Sequence, residues 1–465
     1  MLDFITYPYK KYIMVKEDIM NKEKRLSNRE VLAYALTSAA GLGGILVTSF
    51  ISGYWTDYVG ISIAVVGTIM LLCRVTDGIS DLIMGVIIDK THTKYGKAKP
   101  WLMIGAVGNM ICSSLIFKTP DFSMTGKIIY GTVLYILVFA VFGTMSGVAS
   151  PTLVNLITTD EHDRFKLGSW AFSALFIVQM LVGFGLNVAV ALGNDGFFKL
   201  SLIANGISAI ILVFCWFNIK ERHGQEELGR EKVTIKEFLV TLFNNKYFLL
   251  VTIVYLLTNI SAGVAMGATF YYVIYILKNP AAFGLLSLVS YIPCIISTAL
   301  GPIYSKKFGI LKLVIVCNIF TIIPGTLCIV APDKMLYVMV MTAIASFFNG
   351  PMCAILSPLN AMAADYGEYK NGIARPAVYS SGTSVGTKIG MGIGTAIAAF
   401  ILAVVGFDGM AEVQNSAVNV AIVLVYFGIP ALMLAIETFL LVPFKKLFSE
   451  YDEITVELKK RHGEE

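Results

Sequence analysis

The sequence predicts an all-α membrane protein, with twelve spanning helices arranged as two six-helix bundles. Three observations lead there. Of 465 residues, 56% are hydrophobic and 14% charged, and the mean hydropathy of +0.74 lies outside the range of soluble globular chains this long. Apolar windows long enough to cross a bilayer recur twelve times. The longest polar interruption, Lys220 to Lys246, divides those windows six and six, the layout of membrane proteins built from two parallel repeats.

In chain order the windows fall near 32–56, 61–89, 100–117, 126–157, 166–192 and 198–219. After the interruption they fall near 247–277, 281–304, 310–330, 335–364, 376–405 and 415–445. Such continuous apolar runs can span only as helices, because lipid offers no partner for free backbone polar groups. The chain therefore divides into an N-terminal arm (1–30), a first bundle (31–220), a central loop (221–246), a second bundle (247–446) and a tail (447–465). An echo links the halves: Gly85-Val-Ile-Ile-Asp89-Lys90 leads from span 2 to span 3, and Gly301-Pro-Ile-Tyr-Ser305-Lys306-Lys307 leads from span 8 to span 9. Span 11 carries Gly382, Gly386, Gly390 and Gly394 at four-residue intervals, a stripe that lets helix backbones approach closely in lipid.

Lys and Arg fix the expected orientation. Lys10, Lys11, Lys16, Lys22, Lys24, Arg25 and Arg29 precede span 1; Lys90, Lys94, Lys97 and Lys99 follow span 2; Arg164, Arg222, Lys306, Lys307, Lys370 and Arg375 fall on the same side. By the positive-inside rule both termini are cytoplasmic, in a plasma (inner) membrane. The net charge of +5 belongs to topology, and no nucleic-acid partner is expected. The first thirty residues are too polar for a signal-peptide core and read as a basic arm. Seven cysteines lie within apolar windows without metal-ligand spacing and read as helix-packing residues. The four histidines all fall in polar segments, which leaves no histidine relay inside the membrane. No nucleophile–base pair or phosphate loop is present, so the chain reads as a non-enzyme.

The chemistry concentrates in span 2, at Arg74-Val-Thr-Asp77-Gly-Ile-Ser80-Asp81. Asp81 sits about 12 Å from the end of the helix at 1.5 Å per residue. A charge at such depth costs roughly 2.5–3.5 kcal/mol on insertion scales. Asp77 and Asp81 are four residues apart and share a helix face with Arg74 and Ser80 close by. Two such carboxylates cannot both stay ionised unaided. One must bind a proton, pair with Arg74 or Lys388, or share a bound cation. Lys388 in span 11 is a counter-ion or a substrate contact. Glu437 in the last window lies nearer the cytoplasmic end, where a polar interface is expected.

Longer motifs carry a family resemblance. Thr56-Asp57-Tyr-Val-Gly60, then Arg74-x-x-Asp77-x-x-Ser80-Asp81-x-x-Met84-Gly85, then Tyr95-Gly96-Lys97-Ala-Lys99-Pro100-Trp101, are joined by Asp365-Tyr-Gly-Glu-Tyr-Lys370-x-Gly372 and Lys388 in the second half. In these motifs the chain resembles the glycoside-pentoside-hexuronide:cation symporters, the melibiose-carrier-like branch of the major facilitator superfamily. The resemblance implies two six-helix bundles with alternating access around a central cavity. It places a coupling-cation site at Asp77, Ser80, Asp81 and Thr144. Ser80 stands where an asparagine is common, so Na⁺ is favoured while H⁺ or Li⁺ can serve; no other cofactor is implied. The family's sugar-reading positions fall on Gly41, Gly147, Pro151, Phe172 and Cys353, with Arg74 and Lys388 beside them. They lack the carboxylates and the aromatic face that hold a sugar, which describes a wider and more apolar cavity. Gly85, Asp89, Gly96, Lys97, Lys99, Arg164, Asp365, Glu368 and Arg375 read as gate residues; Asp89, with the Gly96-Lys97-Ala98-Lys99 segment, is expected to form charge pairs that hold the inner halves together in the outward-open state.

The expected function is cation-coupled symport of a small organic solute, by family default a sugar or glycoside, through a monomer in the lipid bilayer. The alternatives are the same mechanism with an amphipathic or apolar substrate (steroid- or lysolipid-like) and a non-transporting membrane sensor.

Overall fold

The structure is a computed structural model that describes residues 26–158, 161–193, 195–222, 235–372, 376–411 and 413–462. The side chains of Asp89, Phe172, Cys353 and Lys388, among some others within the helices, also lie outside the described set. Apart from an isolated bridge between Thr93 and Gly96, regular structure among the described residues is helical.

In the first half α1 runs over Asn28–Val59, α2 over Ile63–Lys90 and α3 over Lys99–Leu115. Met124–Ile136, Leu137–Gly143 and Thr144–Ile157 join end to end as α4. Glu161–Gly183 continues through Gly185–Ala191 as α5, and Gly196–Asn218 is α6. In the second half α7 is Lys246–Tyr271 extended by Tyr272–Ile276, α8 is Ala282–Phe308, α9 Ile310–Leu327, α10 Met335–Asn371, α11 Pro376–Val404 and α12 Ser416–Leu441. Among the described residues nine helices are long and apolar enough to cross a membrane, and the apolar segments Ala282–Thr298 and Ile389–Val404 are shorter. The chain is thus a multi-pass membrane protein.

Two helices are additional to the expected spans. Ile235–Asn244 occupies the end of the central loop, and Phe444–His462 occupies what the sequence presented as a tail. The latter turns Phe444, Leu447, Ile454 and Leu458 into a buried face. It is tied to α10 by Tyr451, which donates to Asp365 Oδ2, and by Arg461, which donates to the Tyr369 carbonyl at 3.0 Å. Burial and the neighbouring carboxylate push the Tyr451 phenol up to about 12, so it remains a donor at physiological pH.

Within the halves α3 packs on α4 and α6 in the first, and α7 on α11 and α12, and α10 on α8 and α9, in the second; α2 with α11 is a comparably extensive pair across the halves. The glycine stripe of α11 explains the closest of these. A Cβ on Gly390 would sit 2.6 Å from the Leu256 carbonyl, and one on Gly386 would sit 2.9 Å from Tyr255. The stripe is therefore a packing face toward α7.

Contacts between the halves are made by α2 with α11, α5 with α8 and α1 with α7, and their closest points cluster away from the end that carries both termini (the inner end). Gly67 of α2 lies against Ala399, Gly53 of α1 against the Phe270 ring, Gly183 of α5 against Ser287, and Gly284 of α8 against Phe184. Further out, Asp57 accepts hydrogen bonds from Thr56 at 2.6 Å and from Tyr275 at 3.0 Å, and Ser52 is bonded to Tyr271. Those last two bonds join α1 to α7 across the two halves.

Toward the inner end the helices part. Along one face of α2, Gly67 touches α11, and Arg74 packs on Gly392, where a Cβ would meet the Arg74 Cβ at 2.6 Å. On the same face a Cβ at Gly78 or Gly85 would meet no atom of the described residues within 4 Å. Among the described residues the halves meet at the outer end and part toward the inner end.

Candidate cation site and substrate passage

The acid pair sits where α2 leaves α11. Asp77 is turned toward α4 and is 6% exposed. Thr144 Oγ1 donates to Asp77 Oδ1 at 2.9 Å. Ser80 Oγ lies 2.9 Å from Thr144 Oγ1 and donates to the Asp77 carbonyl at 2.9 Å. The Arg74 guanidinium stands 3.7 Å from Asp77 Oδ2 and 5.2 Å from the centre of the Phe139 ring. Asp81, one turn inward, is partly buried. The structure thus brings Arg74, Asp77, Ser80 and Thr144 into one cluster.

Local backbone geometry presents Thr144. The preceding segment, Leu137–Gly143, is π-helical, and wide turns of this kind recur at functional sites. The wide turn leaves the Phe139 carbonyl 3.4 Å from Thr144 Oγ1. The Thr144 hydroxyl proton therefore has three acceptors, the Asp77 carboxylate, the Ser80 hydroxyl and the Phe139 carbonyl. When its proton turns to Phe139, a lone pair on Thr144 faces Asp77. The Ser80 proton is already directed at a backbone carbonyl. A carboxylate with two hydroxyl oxygens is a hard donor set that suits a small cation such as Na⁺ or Li⁺, and the carboxylate alone suits H⁺.

The passage leads inward from this cluster. Gly147 and Pro151 continue the Thr144 face of α4 toward the inner end, and both are exposed. A Cβ on Gly147, or on Gly41 in the 3₁₀ turn Ala39–Gly41, would meet none of the described residues within 4 Å. Gly41, Gly147 and Pro151 thus border open space. Phe172, Cys353 and Lys388 lie on α5, α10 and α11, and their side chains are outside the described residues.

The expected gate residues divide. Gly96, at φ +113°, turns the loop so that the backbone N–H groups of Lys97, Ala98 and Lys99 all donate to the Glu221 carboxylate, at 2.7, 3.0 and 2.7 Å. The Lys99 ammonium donates to the Ile219 carbonyl at 2.8 Å and lies 4.5 Å from the Trp216 ring. Lys99 thus ties the α2–α3 loop to the end of α6 within the first half, and the Asp89 side chain lies outside the described residues. Arg164 donates to the Thr158 carbonyl at 3.0 Å, and Asp365 holds the terminal helix. Gly85 borders the open gap, the Glu368 carbonyl accepts from the Gly372 N–H at 2.7 Å, and Arg375 lies outside the described residues.

Sequence reasoning passed over Glu221 and Tyr275 and misplaced Glu437. Glu221 and Tyr275 act on partners more than a hundred residues away, which local spacing cannot reveal. Glu437 was placed at a polar interface; it is instead 1% exposed and bonded to Thr258 of α7.

Residues 34–445 match the family described as MFS/sugar transport protein. The chain is 27% identical to "Inner membrane symporter YicJ" of Escherichia coli (strain K12), over 88% of this chain and 90% of that protein. It is 25% identical to "Isoprimeverose transporter" of Lactiplantibacillus pentosus, over 94% and 92%. Among solved structures, a bacterial homolog to the human lysosomal transporter Spinster superposes with a TM-score of 0.68 at 11% identity, covering 92% of this chain and 99% of that one. At that identity the likeness concerns the fold. With two helical halves and a family match over nearly all its length, the chain belongs to the MFS/sugar transport protein family of membrane transporters.

Proposed function

We propose that this protein is a cation-coupled symporter that carries a sugar or glycoside into the cell by alternating access. The observation that carries the reading is the Asp77–Ser80–Thr144 oxygen cluster, placed at the head of a gap that opens between the halves. The names of the relatives, a symporter and an isoprimeverose transporter, support the same class. The Lys and Arg distribution puts the inner end in the cytoplasm, so the conformation is inward-facing. Na⁺ is the favoured ion because three hard oxygens converge; protonation of Asp77 would satisfy the same carboxylate.

The test is thermal stability of purified protein against cation. A ligand at one hundred times its Kd stabilises by about 2.7 kcal/mol, which raises the melting temperature in Na⁺ or Li⁺ over choline. Asp77→Ala and Thr144→Ala abolish the rise. A wild-type protein indifferent to Na⁺, Li⁺ and pH would refute the coupling site.

A second substrate reading rests on one observation: Gly41, Gly147 and Pro151 border the passage and offer it neither a carboxylate nor an aromatic face. That surface favours a substrate with an apolar portion. Uptake of sugars, glycosides, steroids and lysolipids into proteoliposomes separates the two; cation-dependent uptake confined to the last two classes would overturn the sugar reading.

A further inference from the structure

Glu437 is a second buried acid, remote in sequence from the coupling cluster and in the other half of the molecule. It lies one turn before the end of α12, is 1% exposed, and has its carboxyl Oε2 3.1 Å from Thr258 Oγ1 of α7. Among the described residues no basic side chain pairs with it. The helices packed around it offer none within their spans: α7 has Lys246 at its first turn and α9 has Lys312 at its start. The other titratable groups on those helices, Tyr255 of α7 and Cys317 of α9, make no bond to it. Lys388 belongs to α11, which packs against the face of α7 carrying Leu256, Ile260 and Gly263, opposite Thr258.

The hydrogen-bond inventory at Thr258 points further. A hydroxyl has one proton to give and two lone pairs to accept with. Thr258 Oγ1 lies 2.9 Å from the Val254 carbonyl as well as 3.1 Å from Glu437. That single proton has two acceptors here, and the nearer is the Val254 carbonyl. When the carbonyl takes it, a Thr258 lone pair faces Glu437, and a proton on the acid completes the contact. Burial favours that arrangement, since an ionised carboxylate with no cation beside it is far costlier in an apolar interior than its neutral form.

We propose that Glu437 is a proton-binding site of the second half, occupied in this conformation and separate from the Asp77 cluster, whose bound proton closes the seam between α7 and α12 by donating to Thr258. The site is sealed toward the inner end by Tyr247, Val251 and Val254 of α7 and by Leu441 and Phe444, all 1% exposed or less. Its proton is therefore held while the α7–α12 seam stays closed. The same α7 carries Tyr271 and Tyr275, which bond to α1 at the outer seal. Loss of the proton places an unpaired charge against the helix that joins the halves.

The test is infrared spectroscopy on the full-length protein in lipid at neutral pH, wild type against Glu437→Gln and Thr258→Val. The wild type shows a protonated-carboxyl stretching band that Glu437→Gln removes and Thr258→Val moves to higher frequency, because its hydrogen-bond acceptor is gone. Glu437→Gln reproduces the shape and donor of the neutral acid, so it folds and keeps the wild-type melting temperature at low pH. A group held protonated in the folded state loses stability as pH rises above the ordinary glutamate value of about 4.3. The wild type therefore falls below Glu437→Gln as pH is raised. Absence of a band sensitive to Glu437→Gln, a Gln variant that does not fold, or parallel pH profiles would each overturn the proposal.

Discussion

Gly67→Ala tests the seal between α2 and α11 with the smallest change available. A Cβ at Gly67 would stand 2.8 Å from the Ala399 Cβ, with Phe400 Cε1 at 3.7 Å and the Ala396 carbonyl at 3.8 Å. Ordinary contact begins near 3.4 Å, so the pair is about 0.6 Å too close. Both carbons are fixed to backbone and no rotamer relieves the overlap. Only a separation of α2 from α11 does, and overpacking of this kind costs about 1–3 kcal/mol. The gain in helix propensity from Gly to Ala, about 0.5–1 kcal/mol, is common to every conformation and cancels. The sealed-outside conformation is therefore penalised by about 1–3 kcal/mol, which changes its population about 5–150-fold.

The assay is a spin-label distance across the outer end, between Phe122→Cys in the first half and Val413→Cys in the second, both exposed at 51% and 84%. Gly67→Ala transfers population to longer distances. Gly168→Ala, whose Cβ would meet nothing within 4 Å, is the control and leaves the distribution unchanged. Identical distributions in Gly67→Ala and wild type would refute the argument that this contact seals the outer face.

Two further outcomes follow from the contacts around that frame. Tyr275→Phe removes a hydrogen bond to Asp57 across the halves, worth about 1.5–3 kcal/mol for a charged acceptor; the same spin-label pair reads a longer outer distance, and no change would show that the bond does not latch the seal. Glu221→Ala releases the three amides of Lys97, Ala98 and Lys99; their hydrogen exchange accelerates by at least tenfold for each 1.4 kcal/mol lost, and persistent protection would refute the carboxylate cap.

Much of this was legible in the sequence because lipid imposes a simple code. Hydropathy located the helices: the window at 61–89 became Ile63–Lys90, and that at 376–405 became Pro376–Val404. The expense of buried charge singled out Asp77, and family spacing placed Thr144 opposite it. What stayed hidden has a different physics. The π-helical turns at Leu137–Gly143, Tyr54–Val59 and Tyr272–Ile276 insert backbone width without any composition of their own. Glu221 caps a loop over a hundred residues earlier in the chain. Helix Phe444–His462 did leave a signal, with Phe444, Leu447, Tyr451, Ile454 and Leu458 at three- and four-residue spacing. Low hydropathy set it aside in a search tuned to spans, although amphipathic periodicity alone would have found it.

The acid pair, the seal and the passage share one helix, and that sharing suggests how occupancy reaches the gate. On α2, Gly67 and Arg74 hold α11, while Asp77 reaches α4 through Thr144. Arg74 belongs to both arrangements, packing its stem on Gly392 and standing 3.7 Å from Asp77. If the proposed cation binds at Asp77, it would supply the positive charge that Arg74 otherwise supplies, and like charges at that distance repel. Such an ion would release the guanidinium from Asp77 at the point where the two halves separate. Allosteric coupling requires an element whose two arrangements are biased by the ligand; on the proposed reading that element would be the Arg74 side chain between Asp77 and Gly392. Coupling of that kind would act at a contact between side chain and glycine, so it would need no displacement of the cluster itself.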